Sequence, residues 1–201
     1  RPAWSWPGRG GAAGRCGRQR GLRAYDVSDL AAPAEVGHFE YPIHIAETAV
    51  VHNDRVYAIA PNGQEYRVAT ASLVDGDLDF TTVESVTLPD TAVANLLISG
   101  DTLLPTRWAV GFFTLDASDP NAAPAIVAEP PLDDSIFGDR FANVIGDDIL
   151  FAPITNRDIQ GGIAAYDVSD PTNPTRVGVF DFGVRTVNGL AYENGRVYAT
   201  H

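Results

Sequence analysis

The sequence predicts an all-β protein of the β-propeller class, made of four-stranded antiparallel blades. Three observations carry this prediction. A polar turn block occurs in two similar copies and in one degenerate copy. A tight-turn signal recurs every 46–48 residues. No segment shows a convincing helical period over three turns. Four short strands in 46–48 residues match the length of one propeller blade.

The polar turn block lies at residues 21–37 and 161–178, and both copies contain Ala-Tyr-Asp-Val-Ser-Asp. The degenerate copy spans residues 111–124. Aspartate carboxylates accept backbone N–H bonds in turns, and proline fixes φ and ends a strand ladder. A nucleophilic serine is rarely needed three times over, so the serines are assigned to turns as well. The predicted structural turn residues are Asp26, Ser28, Asp29, Asp116, Ser118, Asp119, Asp167, Ser169 and Asp170.

The tight turns begin at Asn53, Gly100, Gly146 and Asn194, at intervals of 47, 46 and 48 residues. Asn, Asp and Gly tolerate the positive φ that two-residue hairpins require. Each turn is flanked by five to seven residues rich in Val, Ile, Leu and Tyr, as strands are. The turn therefore joins the first two strands of each blade, and the polar block joins the last two.

These strands group into blades along residues 21–201. Whole blades are predicted at residues 45–88, 92–129 and 140–181, with partial blades at 21–40 and 186–201. About four blades' worth of chain predicts an arc of a larger propeller. The alternative is a four-bladed ring that shares one blade between its two ends. An arc would leave two sheet edges open, which predicts self-association through edge strands.

Charge divides the chain near its beginning. Residues 1–23 hold six Arg and no acid, whereas residues 24–201 hold eight Arg and all 26 acids. We interpret residues 1–20 as a basic Gly/Arg-rich tail, disordered or not native to the domain, with a basic binding arm as the alternative. The acidic body argues against nucleic acid as a partner. The chain contains no Met, which favours a processed protein or a fragment of a longer reading frame. No apolar run reaches the roughly 18 residues of a membrane helix, so no transmembrane segment is predicted.

The two clear copies of the block, the second followed by Asn188-Gly-Leu-Ala-Tyr-Glu-Asn-Gly-Arg-Val-Tyr198, resemble the LVIVD-repeat β-propeller family. The resemblance covers most of residues 21–201 and is poor at residues 63–88, where the block is missing. It implies a propeller of about six to eight blades when complete. It also implies a secreted or cell-surface location. It carries over no catalytic residues, because the family's motif is a turn motif.

One acidic stretch has the spacing of calcium ligands. Asp75, Asp77 and Asp79 occupy alternate positions, as oxygen ligands do at the start of an EF-hand loop. Counting from Asp75, Phe80 and Val86 stand where such a loop needs Gly and Glu. The alternative is a solvated acidic loop between the last two strands of the degenerate blade. Calcium is thus the only cofactor that the sequence suggests.

Other polar residues give weaker signals. His38 and His44 could face a central channel or lie at a strand edge, and Cys16 is the only cysteine. Three acids in the connection between two blades, Asp133, Asp134 and Asp139, could line one face or simply be solvated. Four arginines near strand ends could bind an anion or brace neighbouring blades: Arg67, Arg107, Arg157 and Arg185. None of these patterns forms a catalytic constellation.

Two function classes follow. The first is a non-catalytic binding or structural module, secreted or on the cell surface, that presents loops to a protein or glycan. The alternative is a propeller enzyme, a hydrolase or oxidoreductase, with a metal or substrate at the mouth of a central channel. The first class is favoured because no catalytic motif is evident, while the aspartate-rich stretch and His38 and His44 support the second.

Overall fold

The computed structural model describes residues 21–26, 29–40, 48–53, 55–62, 65–74, 77–89, 93–107, 111–130, 136–137, 143–155, 161–183 and 187–200. These residues form only β-strands, turns and irregular segments, with no helix. The strands belong to five antiparallel sheets, which we number I to V in chain order.

Each sheet uses consecutive strands. Sheet I contains β1 (Gly21–Asp26) and β2 (Ala34–Glu40). Sheet II contains β3 (Ala49–His52), β4 (Arg55–Asn62), β5 (Glu65–Val74) and β6 (Asp77–Leu88). Sheet III contains β7 (Val93–Ser99), β8 (Thr102–Arg107), β9 (Gly111–Phe112), β10 (Thr114–Asp116) and β11 (Ala125–Ala128). Sheet IV contains β12 (Ile136–Phe137), β13 (Val144–Gly146), β14 (Ile149–Thr155), β15 (Gly162–Asp167) and β16 (Thr175–Asp181). Sheet V contains β17 (Gly189–Glu193) and β18 (Arg196–Thr200).

The all-β prediction is confirmed, and so are the antiparallel sheets of four to five strands. Sheet II has the simple order β3-β4-β5-β6. In sheet III the third strand is interrupted at Phe113, so β9 and β10 both pair with β8. In sheet IV the first strand is divided, so β12 and β13 both pair with β14. The sequence predicted neither interruption. In sheet III the break is the single residue Phe113, and one residue outside the ladder leaves no periodic signal.

Two-residue turns join the first two strands of sheets II to V. The paired residues that flank them are His52 and Arg55, Ser99 and Thr102, Gly146 and Ile149, and Glu193 and Arg196. The turns therefore begin at residues 53, 100, 147 and 194, a constant spacing of 47. The third turn is Asp147-Asp148, one residue later than its predicted start at Gly146. Both aspartates have positive φ, at 50° and 59°, which their short polar side chains allow.

Two apolar clusters lie between successive sheets. The first joins Tyr57, Ile59 and Val68 of sheet II to Leu96, Leu103 and Phe113 in sheet III, among others. The second joins Leu104 and Phe112 of sheet III to Leu150, Ala164 and Tyr166 of sheet IV, among others. Adjacent residues such as Leu103 and Leu104 enter different clusters, because successive side chains of a strand point to opposite faces. Sheet III is therefore buried on both faces.

The sheets follow one another like the blades of a propeller. The first strands are neighbours in series: β3 contacts β7, β7 contacts β13, and β13 contacts β17. Phe151 of sheet IV stacks on Tyr192 of sheet V, with ring centroids 5.8 Å apart. Sheets I and V remain separate two-stranded sheets in the described part of the chain. The described sheets thus form a series, and no closed ring is seen.

The turn at Gly100 offers a direct test of backbone strain. Gly100 has φ of +50°, and a Cβ added there would meet nothing within 4 Å. Gly100→Ala should therefore lower the free energy of unfolding by about 1–2 kcal/mol through backbone strain alone. Urea denaturation measures this change. The control is Gly178→Ala in β16, where a Cβ would make ordinary contact at 3.9 Å with the Phe180 ring. An equal loss in both variants would contradict the turn assignment.

Candidate functional site

The polar block forms the turn that joins the last two strands of sheets I, III and IV. At its second aspartate, Asp29, Asp119 and Asp170 each accept a hydrogen bond at Oδ1 from the backbone N–H two residues later, at 2.8–2.9 Å. The backbone carbonyl of the same residue accepts the N–H three residues later, at 3.1–3.3 Å. Each aspartate thus closes an Asx turn inside a β-turn.

The first aspartate of the block is bonded in a similar way. Asp116 and Asp167 accept the backbone N–H of Ser118 and Ser169 at 2.8 and 2.9 Å. The Ser169 hydroxyl also donates to Asp167 at 2.7 Å. In sheet I the backbone of Asp26 lies in β1, while its side chain and Ser28 lie outside the described residues.

These bonds stabilise the charged carboxylates. The serine hydroxyl, followed by the backbone N–H, lowers the pKa of Asp116 and of Asp167. The Thr172 hydroxyl and backbone N–H lower the pKa of Asp170 in the same manner. Donors that face a carboxylate favour its ionised form, which explains the direction of all three shifts. The polar side chains of the block are therefore engaged inside their own turns.

The turn is also tied to its neighbours. Val168 and Ala117 follow the first aspartate and donate their N–H to the carbonyls of Asp148 and Asp101, both at 2.9 Å. From the preceding sheet, Arg55 Nη1 donates to the carbonyl of Ala122 at 3.2 Å. The fully buried Thr114 hydroxyl donates to the carbonyl of Pro171 at 2.6 Å. The turns of sheets III and IV are thus each held by their own sheet and by the sheet before it.

A second set of polar contacts links the two-residue turns of neighbouring sheets, and we call it the turn belt. It comprises His52, Asn53, Ser99, Asp101, Asp147, Asp148 and Tyr192. His52 Nε2 lies 2.6 Å from Asp101 Oδ1, and the Ser99 hydroxyl donates to Asp148 Oδ1 at 2.5 Å. Ser99 is 47 residues after His52, and Asp148 is 47 residues after Asp101. The same two positions of the repeat therefore meet at two successive interfaces.

The third interface uses different residues at these positions. Gly146 and Gly195 stand where the other interfaces have a donor and an acceptor, and neither has a side chain. The Tyr192 ring fills this space, since a Cβ added at Gly146 would overlap it. The Tyr192 hydroxyl donates to Asp147, and this bond raises the pKa of the tyrosine. A hydrogen bond between turns is thus kept at all three interfaces.

His52 and Asp101 are the pair in the turn belt whose side chains are best suited to acid–base chemistry. Asn53 Nδ2 lies 2.9 Å from His52 Nε2 and 3.2 Å from Asp101 Oδ1. One ring nitrogen cannot donate to Asp101 and accept from Asn53 together, so we assign the Nε2 proton to Asp101. Asn53 then donates to the same carboxylate. An aspartate that orients a histidine is typical of a general base. Here the carboxylate binds the protonated Nε2, so Nε2 is not the nitrogen that would accept a proton.

The stretch predicted to bind calcium, residues 75–79, is not a loop throughout, because Asp77 and Asp79 belong to strand β6. β5 and β6 extend farther than predicted, so Asp77 and Asp79 have strand backbone and pair with Val74 and Ser72. The aspartates favoured a loop in the sequence. In the structure the ladder continues past them, with Leu73 paired with Leu78 and Val74 paired with Asp77. Asp75 and the side chains of Asp77 and Asp79 lie outside the described residues, so the calcium prediction stays a prediction. Where side chains are described, no three His, Cys, Asp or Glu side chains could hold a metal ion.

The remaining candidates are spread over the fold. Arg107 is buried, lies over the Phe113 ring at 4.2 Å and pairs with Glu129 at 2.8 Å, all within sheet III. Arg67 has its backbone in β5 opposite Ala60, and His38 has its backbone in β2 opposite Arg23. The other predicted candidates lie outside the described residues: His44, Asp133, Asp134, Asp139, Arg157 and Arg185.

The turn belt was not predicted from the sequence. Its donors and acceptors belong to different repeats and are 45–49 residues apart. The signal was nevertheless present, because the turns recur every 47 residues and neighbouring sheets bring equivalent turns together. Only the identities at those positions vary, from His and Ser to Gly, and this variation conceals the pattern.

Three solved structures have a similar fold. The computationally designed Ika8 protein matches with a TM-score of 0.61 and 10% identity, over 90% of this chain and 50% of that chain. A protein from Lactobacillus plantarum matches with a TM-score of 0.61 and 12% identity, over 82% and 50% of the two chains. The designed Ika4 protein matches with a TM-score of 0.57 and 11% identity, over 82% and 90%.

The chain is propeller-like in fold. At 10–12% identity these likenesses concern the fold alone. The chain spans about half the length of the Ika8 and Lactobacillus plantarum proteins. No family model matches the chain, and no curated protein does. The LVIVD resemblance therefore stays a prediction. The described part of the chain contains no helix long and apolar enough for a membrane span.

The lowered pKa of Asp167 predicts a pH-dependent contribution to stability. A carboxylate whose pKa is lower in the folded chain stabilises the fold above its unfolded pKa of about 3.9. The contribution is lost as pH falls through the folded pKa. We expect Asp167→Asn to be less stable than the wild type at pH 7, and this difference to shrink near pH 3. Urea midpoints at the two pH values measure it.

Ser169→Ala serves as the matched variant, because it removes the hydroxyl that contributes most to the shift and leaves the backbone N–H. Its stability should change with pH less than that of the wild type and more than that of Asp167→Asn. A difference between wild type and Asp167→Asn that is the same at both pH values would contradict the role of the ionised carboxylate.

Gly146 and Tyr192 should be energetically coupled. Gly146→Ala places a Cβ inside the Tyr192 ring, so the ring must leave Asp147 and its stack on Phe151. Overpacking of this kind costs about 1–3 kcal/mol. In a Tyr192→Ala background, the same glycine substitution should cost about 0.5 kcal/mol or less. A double-mutant cycle from urea denaturation tests this. Additive effects would show that the ring does not depend on the glycine.

Proposed function

We propose that the chain is a non-catalytic binding or structural module of a secreted or cell-surface propeller, one of the LVIVD-repeat type. On this proposal the chain is an arc of a larger propeller. The tips of the turns at residues 29–33, 119–124 and 170–174 contact a protein or glycan partner. The observation that supports the binding proposal is that the repeated polar residues build the same turn in each repeat, while the residues at the tip of the turn differ from one repeat to the next.

The fixed part of each turn supports binding because it is held before a partner arrives. Asp119 closes its turn with two hydrogen bonds, and Arg55 of the preceding sheet holds the carbonyl of Ala122. In the next sheet, Asp170 and Thr114 do the same for the turn that contains Pro171. A loop that is ordered in advance loses little conformational entropy on binding.

The tips present different chemistry on this shared frame. The first exposes Leu30, whose side chain is 84% exposed, followed by two alanines. The second exposes Asn121, and the third exposes Thr172 and Asn173. Apolar and amide or hydroxyl groups together suit a protein surface or a glycan, which offers both apolar ring faces and hydroxyl groups.

The alternative is a propeller enzyme, a hydrolase or oxidoreductase, with a metal or substrate at a channel mouth. The His52–Asp101 pair is the observation that favours it, because an aspartate that orients a histidine is one part of the catalytic arrangement of many hydrolases, although here the aspartate binds Nε2. A direct measurement separates the two functions. Stoichiometric calcium or a transition metal in the purified protein, lost on Asp77→Ala, would favour the enzyme.

The binding proposal predicts that changes at the tips affect binding and leave the fold intact. The purified chain is applied to panels of glycans and of extracellular proteins, and binding is quantified by biolayer interferometry. Leu30→Asp and Asn173→Ala should each weaken the partner's binding at least tenfold, with thermal unfolding close to that of the wild type.

The control is Val179→Asp on β16, which is 37% exposed and lies five residues after the nearest tip. It should bind as the wild type does. Equal binding by the tip variants, or no partner in either panel, would overturn the proposal.

A further inference from the structure

Three side chains meet where the two-residue turns of sheets II and III come together. His52 Nε2 lies 2.6 Å from Asp101 Oδ1, and Asn53 Nδ2 lies 2.9 Å from the same nitrogen. Asn53 Nδ2 also lies 3.2 Å from Asp101 Oδ1. The three polar atoms therefore form a triangle in which each atom contacts the other two.

Protons alone cannot satisfy all three sides of this triangle. When the Nε2 proton lies toward Asp101, His52 Nε2 and Asn53 Nδ2 are two donors only 2.9 Å apart. When the ring carries its proton on Nδ1, the Nε2 lone pair and the Asp101 carboxylate are two acceptors 2.6 Å apart. Rotation of the Asn53 amide relieves the first contact but sets the amide oxygen against that of Asp101, at 3.2 Å. Each arrangement leaves two like groups in contact.

A bound cation satisfies the three atoms together, because each atom then presents a lone pair to it. Nitrogen and oxygen ligands bind a divalent transition metal at about 2.0–2.2 Å, so ligands at right angles are about 3 Å apart. The three sides of the triangle, 2.6, 2.9 and 3.2 Å, lie around that spacing. His52 and Asp101 supply an imidazole and a carboxylate, and the rotated amide of Asn53 supplies Oδ1. The third ligand is an amide, so the set differs from a cluster of three His, Cys, Asp or Glu side chains.

The backbone holds these ligands in place and leaves them open to solvent. His52 ends β3, and Asn53 has the positive φ of its turn, at 48°. Asp101 follows Gly100, whose φ is 50° in the next turn. The His52 side chain is 20% exposed and that of Asp101 is 57% exposed, so an ion can enter and water can complete its coordination. Ligands fixed in this way need little rearrangement to hold an ion.

The ligand types select the class of ion. One imidazole nitrogen and two oxygens suit divalent transition metals such as Zn²⁺, Ni²⁺ and Cu²⁺, whereas Ca²⁺ prefers oxygen ligands alone. Asp101 supplies the negative charge of the site. Arg55 pairs with His52 in the ladder, and its Nη1 donates to the carbonyl of Ala122 in the polar block of sheet III. A transition metal rather than calcium is therefore the ion that fits.

We propose that His52, Asn53 and Asp101 bind one divalent transition-metal ion, of which Zn²⁺ is representative, and that the ion joins the turns of sheets II and III. The ion takes the place of the proton between His52 and Asp101. The next interface has Ser99 and Asp148 at the equivalent positions, and Ser99 offers no imidazole. This site depends on neither function proposed above and is separate from the stretch predicted to bind calcium.

Isothermal titration calorimetry with Zn²⁺ tests the site in a Cys16→Ser parent, which lacks the one thiol of the chain. We expect one Zn²⁺ per chain. His52→Ala should weaken binding at least a hundredfold. Asp101→Asn should weaken it at least tenfold, because the variant keeps a hydrogen-bond acceptor and loses the charge. Ser99→Ala is the matched control, since it removes the equivalent bond at the next interface and should bind Zn²⁺ as the parent does. Circular dichroism checks that each variant keeps its β-sheet spectrum.

Asn53→Asp should gain affinity, which the loss of a merely structural contact would not produce. The equivalent turn of sheet IV begins with Asp147 at φ of 50°, so an aspartate fits the turn. A carboxylate in place of the amide should tighten Zn²⁺ binding at least tenfold. Zn²⁺ should also raise the midpoint of thermal unfolding of the parent but not of His52→Ala, because the ion binds only the folded site.

A parent that does not bind Zn²⁺ would overturn the proposal. Binding that persists in His52→Ala would do the same, and Asp77→Ala would then show whether the metal lies in the stretch predicted to bind calcium. Weaker binding by Asn53→Asp than by the parent would overturn the role of Asn53 as the third ligand.

Discussion

Each central sheet of this chain has two apolar faces, and only another sheet can bury either one. In sheet III, Leu103 and Phe113 face sheet II, whereas Leu104 and Phe112 face sheet IV. A strand that points Leu103 to one face and Leu104 to the other cannot leave either face in water, because a fully buried side chain would become exposed. The stacking of sheets in series follows from this constraint. Strand β8, buried at all six residues, is its clearest result.

The turns make that stacking repeat accurately. The paired residues around each two-residue turn keep the same 47-residue spacing although the turn residues change from Asn and Gly to two aspartates. The bonds His52–Asp101 and Ser99–Asp148 then join each turn to the next. These contacts are exposed, so each adds little free energy, but they fix the relative height of neighbouring sheets. That height decides which apolar side chains meet in the clusters.

The sequence revealed most of the fold because turn chemistry depends on local residues. Asn, Asp and Gly at the turn of each hairpin predict positive φ, and the structure has positive φ at Asn53, Gly100, Asp147 and Asn194. The polar block likewise predicts a reversal between two strands, such as β15 and β16. The interruption at Phe113 accompanies packing of its buried ring against residues of sheet II, and a single segment does not encode that contact. The belt was missed for the same reason. Tyr192 and Asp147 are 45 residues apart, and only the stacking of sheets IV and V brings them together.

Within each repeat, the recurring residues of the polar block build the turn, and the residues at the turn tip vary. This explains why the polar block says so little about function. Asp167 and Asp170 are conspicuous because they recur, and they recur because every turn needs the same hydrogen bonds. A residue that recognises one partner has no reason to recur in every repeat. On the binding proposal, recognition falls to the positions that vary on the fixed frame, such as Leu30, which is 84% exposed at its turn tip. The same reasoning applies to the interfaces between sheets. Tyr57, Leu104, Phe151 and Tyr198 place three residue types at one position of the repeat, and the exposed fraction of the tyrosine there ranges from 0% at Tyr57 to 51% at Tyr198.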